Sequence, residues 1–486
     1  MQLILLGLAL AIFMHDTPEF SGLGVVLPLG WLLVCVLVPK AILALGYAWA
    51  CRRTTRRLGK AGGMRSINRL NRFTALFPLF ALASFVLDLW AGLPSWLRGA
   101  DTPGTTGPRD WVLIDELVVM LPTLGLLVFS YWVYYPIDRR LREATLLTRA
   151  DQGLPLYPVW TRRQYVTAQI RNHFAMILGP LLVIMAWSET LVKLQTAGHI
   201  TGTTQLWLMP VGAGVAFLFA PLMIRKLWDT VPLPPGPIRD KLLSMCDRHR
   251  VRVSDLLLWR TFGGMINAAV MGLFGRVRFI LLSDGLLDQV NEREVEAVMA
   301  HELAHVRMRH LWWLLISAAA GVGVLSVLGE TLLKLGGDWP AWVQAGLSVV
   351  GLVLWALQFG WVSRRIERQA DTFGARHMTV VHDERTRATP GETTVEAELP
   401  SRAPATLFDE FGVASMIGAL QRVADLNHIA TNRRSWRHGS IAWRQAYLSS
   451  LIGQPLDRPP IDRMMWKINA VSLLLLVGVI VWGVVG

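Results

Sequence analysis

Charge is scarce in this chain. Only 17% of its 486 residues are Asp, Glu, Lys or Arg, against 53% hydrophobic, and the mean hydropathy is +0.40. That deficit excludes an ordinary soluble globular protein. Cysteine is scarcer still. Of the three, Cys35 and Cys51 fall at opposite levels of one predicted helix and Cys246 stands alone, which excludes a disulfide framework and a thiolate metal site. Internal repeats of the kind that mark solenoids or inverted-repeat transporters are missing. Acidic residues are outnumbered 35 to 48 by basic ones, leaving a net charge of +13. The basic excess lies in loops flanking apolar runs, so it suits an anionic membrane surface and not nucleic acid.

What the chain does have is apolar length. Runs able to cross a bilayer core of about 30 Å occur at roughly 22–50, 73–97, 111–135, 174–195, 204–224, 311–335, 340–362 and 468–486. A shorter run from Met1 to Met14 has no basic leader or evident cleavage site and reads as a retained anchor, for about nine spans in all. Arginines and lysines set the orientation. Arg52, Arg53, Arg56, Arg57, Lys60, Arg65, Arg69 and Arg72 crowd one connection, and Arg139 to Arg171 another, whereas 15–21, 196–203 and 336–339 contain neither Lys nor Arg. The N-terminus and residues 225–310 and 364–466 are therefore expected in the cytoplasm, with the last helix ending outside.

The expected divisions are an N-terminal membrane domain (1–224, about six spans), a first catalytic part (225–310), a transmembrane hairpin (311–362), a second catalytic part (363–466) and a C-terminal span (467–486). The first 224 residues offer no titratable cluster suggestive of chemistry. Glu189 and Lys193, four apart near a span end, read as an interfacial pair. After the helix-breaking stretch Val231 to Pro237, a helix near 238–249 precedes β-like runs at 251–259, 266–273 and 277–283. Residues 379–406, rich in Thr, Glu, Pro and Arg, read as a mobile loop or insertion.

The chemistry is concentrated in His301-Glu302-Leu303-Ala304-His305. Two histidines one turn apart share a helix face and reach one metal ion, and the glutamate beside them is placed to take a proton from a metal-bound water. The helix starting near Asn291 is expected to run through His310 straight into the span at Leu311. A catalytic zinc needs a third protein ligand. Glu367 is the candidate, because it leaves the hairpin on a helix that folds back against the motif, and Asp371, one turn on, is placed to hold a ligand imidazole. His249, His310, His377 and His428 read as surface or capping residues.

Leu282 to Leu287, Glu294 to His305, and Glu367 with Ala370-Asp371 resemble the integral-membrane zinc metallopeptidases that include the CaaX prenyl endopeptidase and the bacterial heat-shock membrane protease. The resemblance covers roughly residues 238–450. It implies a polytopic α-helical membrane protein with a zincin-like α/β catalytic part on the cytoplasmic side. It implies one Zn2+ per chain on His301, His305 and Glu367, Glu302 as general base and Asp371 behind the ligands. It further implies Asn267-Ala268 as an edge strand that pairs with an extended peptide, and His438 with Arg444 as oxyanion support, although Gly439-Ser440-Ile441 stands where the family has prolines. The implied activity is endoproteolysis of membrane-associated or misfolded proteins, in a bacterial inner membrane. The alternatives are CaaX-type processing of lipidated peptides, or a noncatalytic scaffold or transporter keeping a structural zinc. The expected partners are a peptide or membrane-protein substrate and the lipid bilayer.

Overall fold

A computed structural model describes residues 27–58, 63–98, 112–262, 265–336, 339–388 and 405–485, apart from Gln152, Leu154, Pro155 and Tyr157. The expected anchor from Met1 to Met14 lies outside these. The chain divides into two compact units, Met1–Asp229 and Thr230–Gly486.

The first unit is helical: α1 (Leu29–Arg57), α2 (Gly63–Trp90), α3 (Leu93–Arg98), α4 (Ile114–Asp151), α5 (Arg162–Gln169), a π-helical turn at Ile170–Ala175, α6 (Met176–Thr196) and α7 (Gly202–Leu227). Tyr47, Phe77, Phe85, Met120, Leu127 and Ile137 form its core, while one face of α1, with Leu33, Leu37 and Leu45, stays exposed as a lipid-facing helix would. Inside it lies a pair the sequence did not announce. Lys40 Nζ donates to both carboxylate oxygens of Asp88, at 2.7 and 2.6 Å, and both side chains are buried.

The second unit contains β1 (Thr230–Pro232), α8 (Pro237–Arg248), β2 (Asp255–Trp259), β3 (Ala268–Met271), β4 (Phe279–Ser283), α9 (Asp284–Gln289) and α10 (Glu292–Arg307). It continues with α11 (His310–Gly336), α12 (Ala341–Ala388), α13 (Glu410–Leu426), α14 (Ile441–Ser449) and α15 (Pro460–Val485). The four strands run in the order β1-β2-β4-β3. β2 pairs with β4 in parallel and β3 with β4 antiparallel, Ala268 facing Leu282 and Val270 facing Ile280, so β3 is an edge. Gly272, at φ +101°, ends β3, and a Cβ there would lie 2.2 Å from the Val277 carbonyl oxygen. Only glycine permits this return of the chain.

Among the described residues seven helices are long and apolar enough to cross a membrane. An eighth expected span, near 174–195, is a helix pair bent by 43°. The π-helical turn at Ile170–Ala175 and Pro180 on its far side account for the bend.

Two expectations need correction. The motif helix does not continue into the span: α10 stops at Arg307, Arg309 adopts φ +55°, and α11 begins anew at His310. Residues 379–388, expected in a loop, extend α12, whose 48 residues run unbroken from the hairpin past Glu367. At the start of the helix-breaking stretch, Thr230–Pro232 pairs with β2 as an edge strand, where the donor that Pro232 lacks is tolerated.

A buried carboxylate ties α10 to α12. Glu296 lies near Lys241 (2.9 Å), Arg385 (3.0 Å) and His377 (3.4 Å). Burial alone would raise its pKa, but hydrogen bonds from His377, Lys241 and Arg385 outweigh burial and hold it at about 2. A folded-state pKa below the unfolded value stabilises the fold above the unfolded pKa, and that contribution disappears as pH falls through the folded one. We expect Glu296→Gln to lose on the order of 3 kcal/mol at neutral pH. Its stability should converge on that of the wild type between about pH 4.5 and 2, as followed by thermal unfolding in detergent. A constant difference across that window would reject the assignment.

Candidate metal centre

α10 starts where its sequence provides a cap. The Asn291 side chain accepts from the Glu294 N–H at 2.9 Å, and Glu292 and Glu294 sit in the first turn, where the helix dipole favours acids. Val295, Met299, Ala300 and Leu303 bury one face against the sheet. Ala304 packs with Ala370 and Phe373 of α12. This packing brings the α10 histidines to Glu367.

The Nε2 atoms of His301 and His305 lie 3.3 Å apart, and Glu367 Oε2 is 3.7 Å from His301 Nε2. One ligand atom from each of the three lies within 4.8 Å of the other two. Metal–nitrogen bonds of about 2.0–2.1 Å in a tetrahedron put ligand atoms about 3.3 Å apart, so the donor set fits a zinc ion in spacing and chemistry.

Each imidazole is held from behind. His301 Nδ1 is 2.9 Å from Asp371 Oδ1, and Arg444 in turn donates to Asp371 through Nε (2.7 Å) and Nη2 (2.6 Å). Burial alone would lower the His301 pKa, but Asp371 outweighs it and raises the net value. A chain of contacts behind His305 sets its tautomer. Gln369 Nε2 donates to Asp462 Oδ1 at 2.7 Å, so Gln369 Oε1 faces His310 Nε2, 3.0 Å away, as the acceptor. His310 therefore carries its proton on Nε2 and accepts at Nδ1, 3.0 Å from His305 Nδ1. This leaves the proton of His305 on Nδ1 and its Nε2 lone pair free to face a metal. Burial is the main reason that protonating His305 further is strongly disfavoured.

Glu302 does not join the ligands. Its Oε2 accepts from the Val270 N–H of β3 at 3.2 Å, and burial pushes its carboxyl up to about 7 against the pull of His301. Because the Val270 N–H points away from β4, alternation along the strand turns the outward backbone groups of Ala268 the same way. Asn267 lies just before β3, its N–H bonded to Ser283 Oγ at 2.9 Å and its side chain exposed. His438 Nδ1 is 2.9 Å from Glu367 Oε1, with half of its side chain exposed. Arg444 is buried, its Nη1 3.5 Å from Glu367 Oε2.

Sequence reasoning missed Val270, Gln369 and Asp462, and misread two histidines. His310 and His377, expected as surface or capping residues, are buried, the first behind His305 and the second between Glu296 and His249.

Residues 262–389 match the model of Peptidase family M48. Protease HtpX of Legionella pneumophila is 26% identical over 206 residues, spanning 40% of this chain and 73% of that protein. CAAX prenyl protease 1 homolog of Arabidopsis thaliana is 26% identical over 254 residues, spanning 48% of this chain and 57% of that protein. In fold, the crystal structure of S. mikatae Ste24p aligns with 87% of this chain and 99% of its own at a TM-score of 0.50 and 16% identity. Over residues 262–389 the chain is thus similar to Peptidase family M48, and over a wider stretch to the proteases named HtpX and CAAX prenyl protease 1 homolog.

Proposed function

We propose that this protein is a membrane-embedded zinc endopeptidase that cleaves membrane-associated or misfolded proteins, with a zincin-like catalytic part on the cytoplasmic side of a bacterial inner membrane. The observation that carries the reading is the convergence of His301, His305 and Glu367 beside a carboxylate, Glu302, that stays off the ligand set. When bound, zinc supplies Lewis-acid chemistry, acidifying a water and polarising the scissile carbonyl.

The chain's own residues supply the rest. Glu302, with its carboxyl raised toward neutral pH, accepts the proton of the attacking water and returns it to the leaving amine. An extended substrate adds to β3 beyond Ala268 and Val270, which lays its backbone beside Glu302. His438 reaches the carboxylate of Glu367 from the exposed side and supports the oxyanion there. Arg444, fixed on Asp371 and close to Glu367, acts mainly as a positioning residue for those two carboxylates. A structural zinc, as in a scaffold, would fill its fourth position with protein and have no use for Glu302.

The reading is tested on the detergent-purified full chain, with zinc content measured beside cleavage of an unfolded test protein. We expect about one zinc per chain, loss of cleavage on chelation, and recovery on adding zinc back. Cleavage that persists after complete removal of the metal would sink the proposal.

A further inference from the structure

Adjoining the metal centre, and sharing His305 and Val270 of β3 with it, the second unit has a cavity of about 310 Å³. Arg250, Arg278, Arg307 and Arg309 line it, His305 contributes to one wall and Trp312 to another, and no Asp or Glu takes part. Arg278 directs its N–H groups to the backbone carbonyls of Gly272, Leu273 and Arg252. Among the described residues Arg250, Arg307 and Arg309 form no ion pair with a carboxylate.

Two of these arginines stand where the backbone favours glycine. Arg250 and Arg309 have φ of +54° and +55°, each two residues past the end of a helix, α8 and α10. Compensation of helix dipoles accounts for a basic residue at either end taken alone. It does not account for four arginines around one cavity whose described lining contains no Asp or Glu.

The position of the cavity indicates what neutralises it. Leu311 and Trp312 open the membrane-spanning helix α11, both are exposed, and the exposed Phe274 ring meets Trp312 edge-on at 6.1 Å. Exposed aromatic rings beside clustered arginines at the start of a span suit the headgroup level of a bilayer. Guanidinium groups bind phosphate oxygens in pairs, and the apolar side of α11 is available for acyl chains. We propose that this cavity binds the phosphate of an anionic phospholipid headgroup, placing a lipid next to His305.

The test uses the detergent-purified full chain and native mass spectrometry with phosphatidylglycerol, phosphatidylcholine and inorganic phosphate as separate probes. It compares the wild type with Arg250→Gly/Arg309→Gly, which removes two charges and suits both left-handed positions. A second variant, Arg250→Gln/Arg309→Gln, keeps side chains there. We expect one tightly held phosphatidylglycerol per wild-type chain, at least tenfold weaker retention in both variants, and no equivalent phosphatidylcholine. Equal retention of phosphatidylglycerol by the wild type and either folded variant would overturn the proposal. So would phosphatidylcholine held as well, or inorganic phosphate bound as tightly as the lipid.

Discussion

Replacing Glu302 with Gln is expected to lower peptide-bond cleavage by about 10²- to 10⁴-fold, the range a general base contributes, while zinc content stays at the wild-type level. The two halves of this expectation rest on different contacts. Glutamine is isosteric, and its carbonyl oxygen still accepts the Val270 N–H that Glu302 accepts at 3.2 Å, so β3 and α10 keep their spacing. His301, His305 and Glu367 are untouched, and so are Asp371 and the Gln369–His310 contacts behind them. What disappears is a group able to take and return a proton. Cleavage rates and metal content measured on the same preparation decide the matter. Undiminished cleavage would remove Glu302 from the mechanism, and lost zinc would show that it serves the ligand set.

The second large effect concerns stability. Lys40→Met should destabilise the first unit by about 3–5 kcal/mol, because it leaves Asp88, fully buried, without its counter-charge. The double variant Lys40→Met/Asp88→Leu should recover most of that loss, since a buried pair replaced by apolar groups of similar volume costs little. The sign of the coupling separates a desolvated pair from two independent side chains. Unfolding in mixed micelles of the wild type, both single variants and the double variant gives the cycle. A Lys40→Met chain as stable as the wild type, or a double variant no better than the single, would refute it.

Sequence shows best what repeats over a short distance. His301 and His305 are one turn apart, and a period of that length can be read without knowing where the helix packs. Glu367 was reachable because an apolar hairpin returns the chain to its starting side. His310 was not. Counted along a continuous helix it lies about 140° from His305, off the ligand face, but the helix ends at Arg307 and the positive φ of Arg309 turns His310 back toward His305. Its further partners are remote, Gln369 lying 59 residues beyond it and Asp462 another 93 beyond that. Lys40 and Asp88, 48 apart on different helices, were hidden in the same way. A lone charge in an apolar run does not reveal the helix it will face.

α12 also constrains how the protein is made. His301 and His305 leave the ribosome well before Glu367, and α11 and the apolar first part of α12 lie between them. On the proposed reading Glu367, the third ligand, therefore meets the two histidines only after that hairpin has been delivered to the bilayer and turned back. His438 and Arg444 arrive later still. A nascent chain, or one whose hairpin fails to insert, has two histidines and no complete metal centre. A hydrolase of the proposed kind, assembled in this order, would be inert during its own synthesis and become competent only in chains that have reached the membrane in the correct topology.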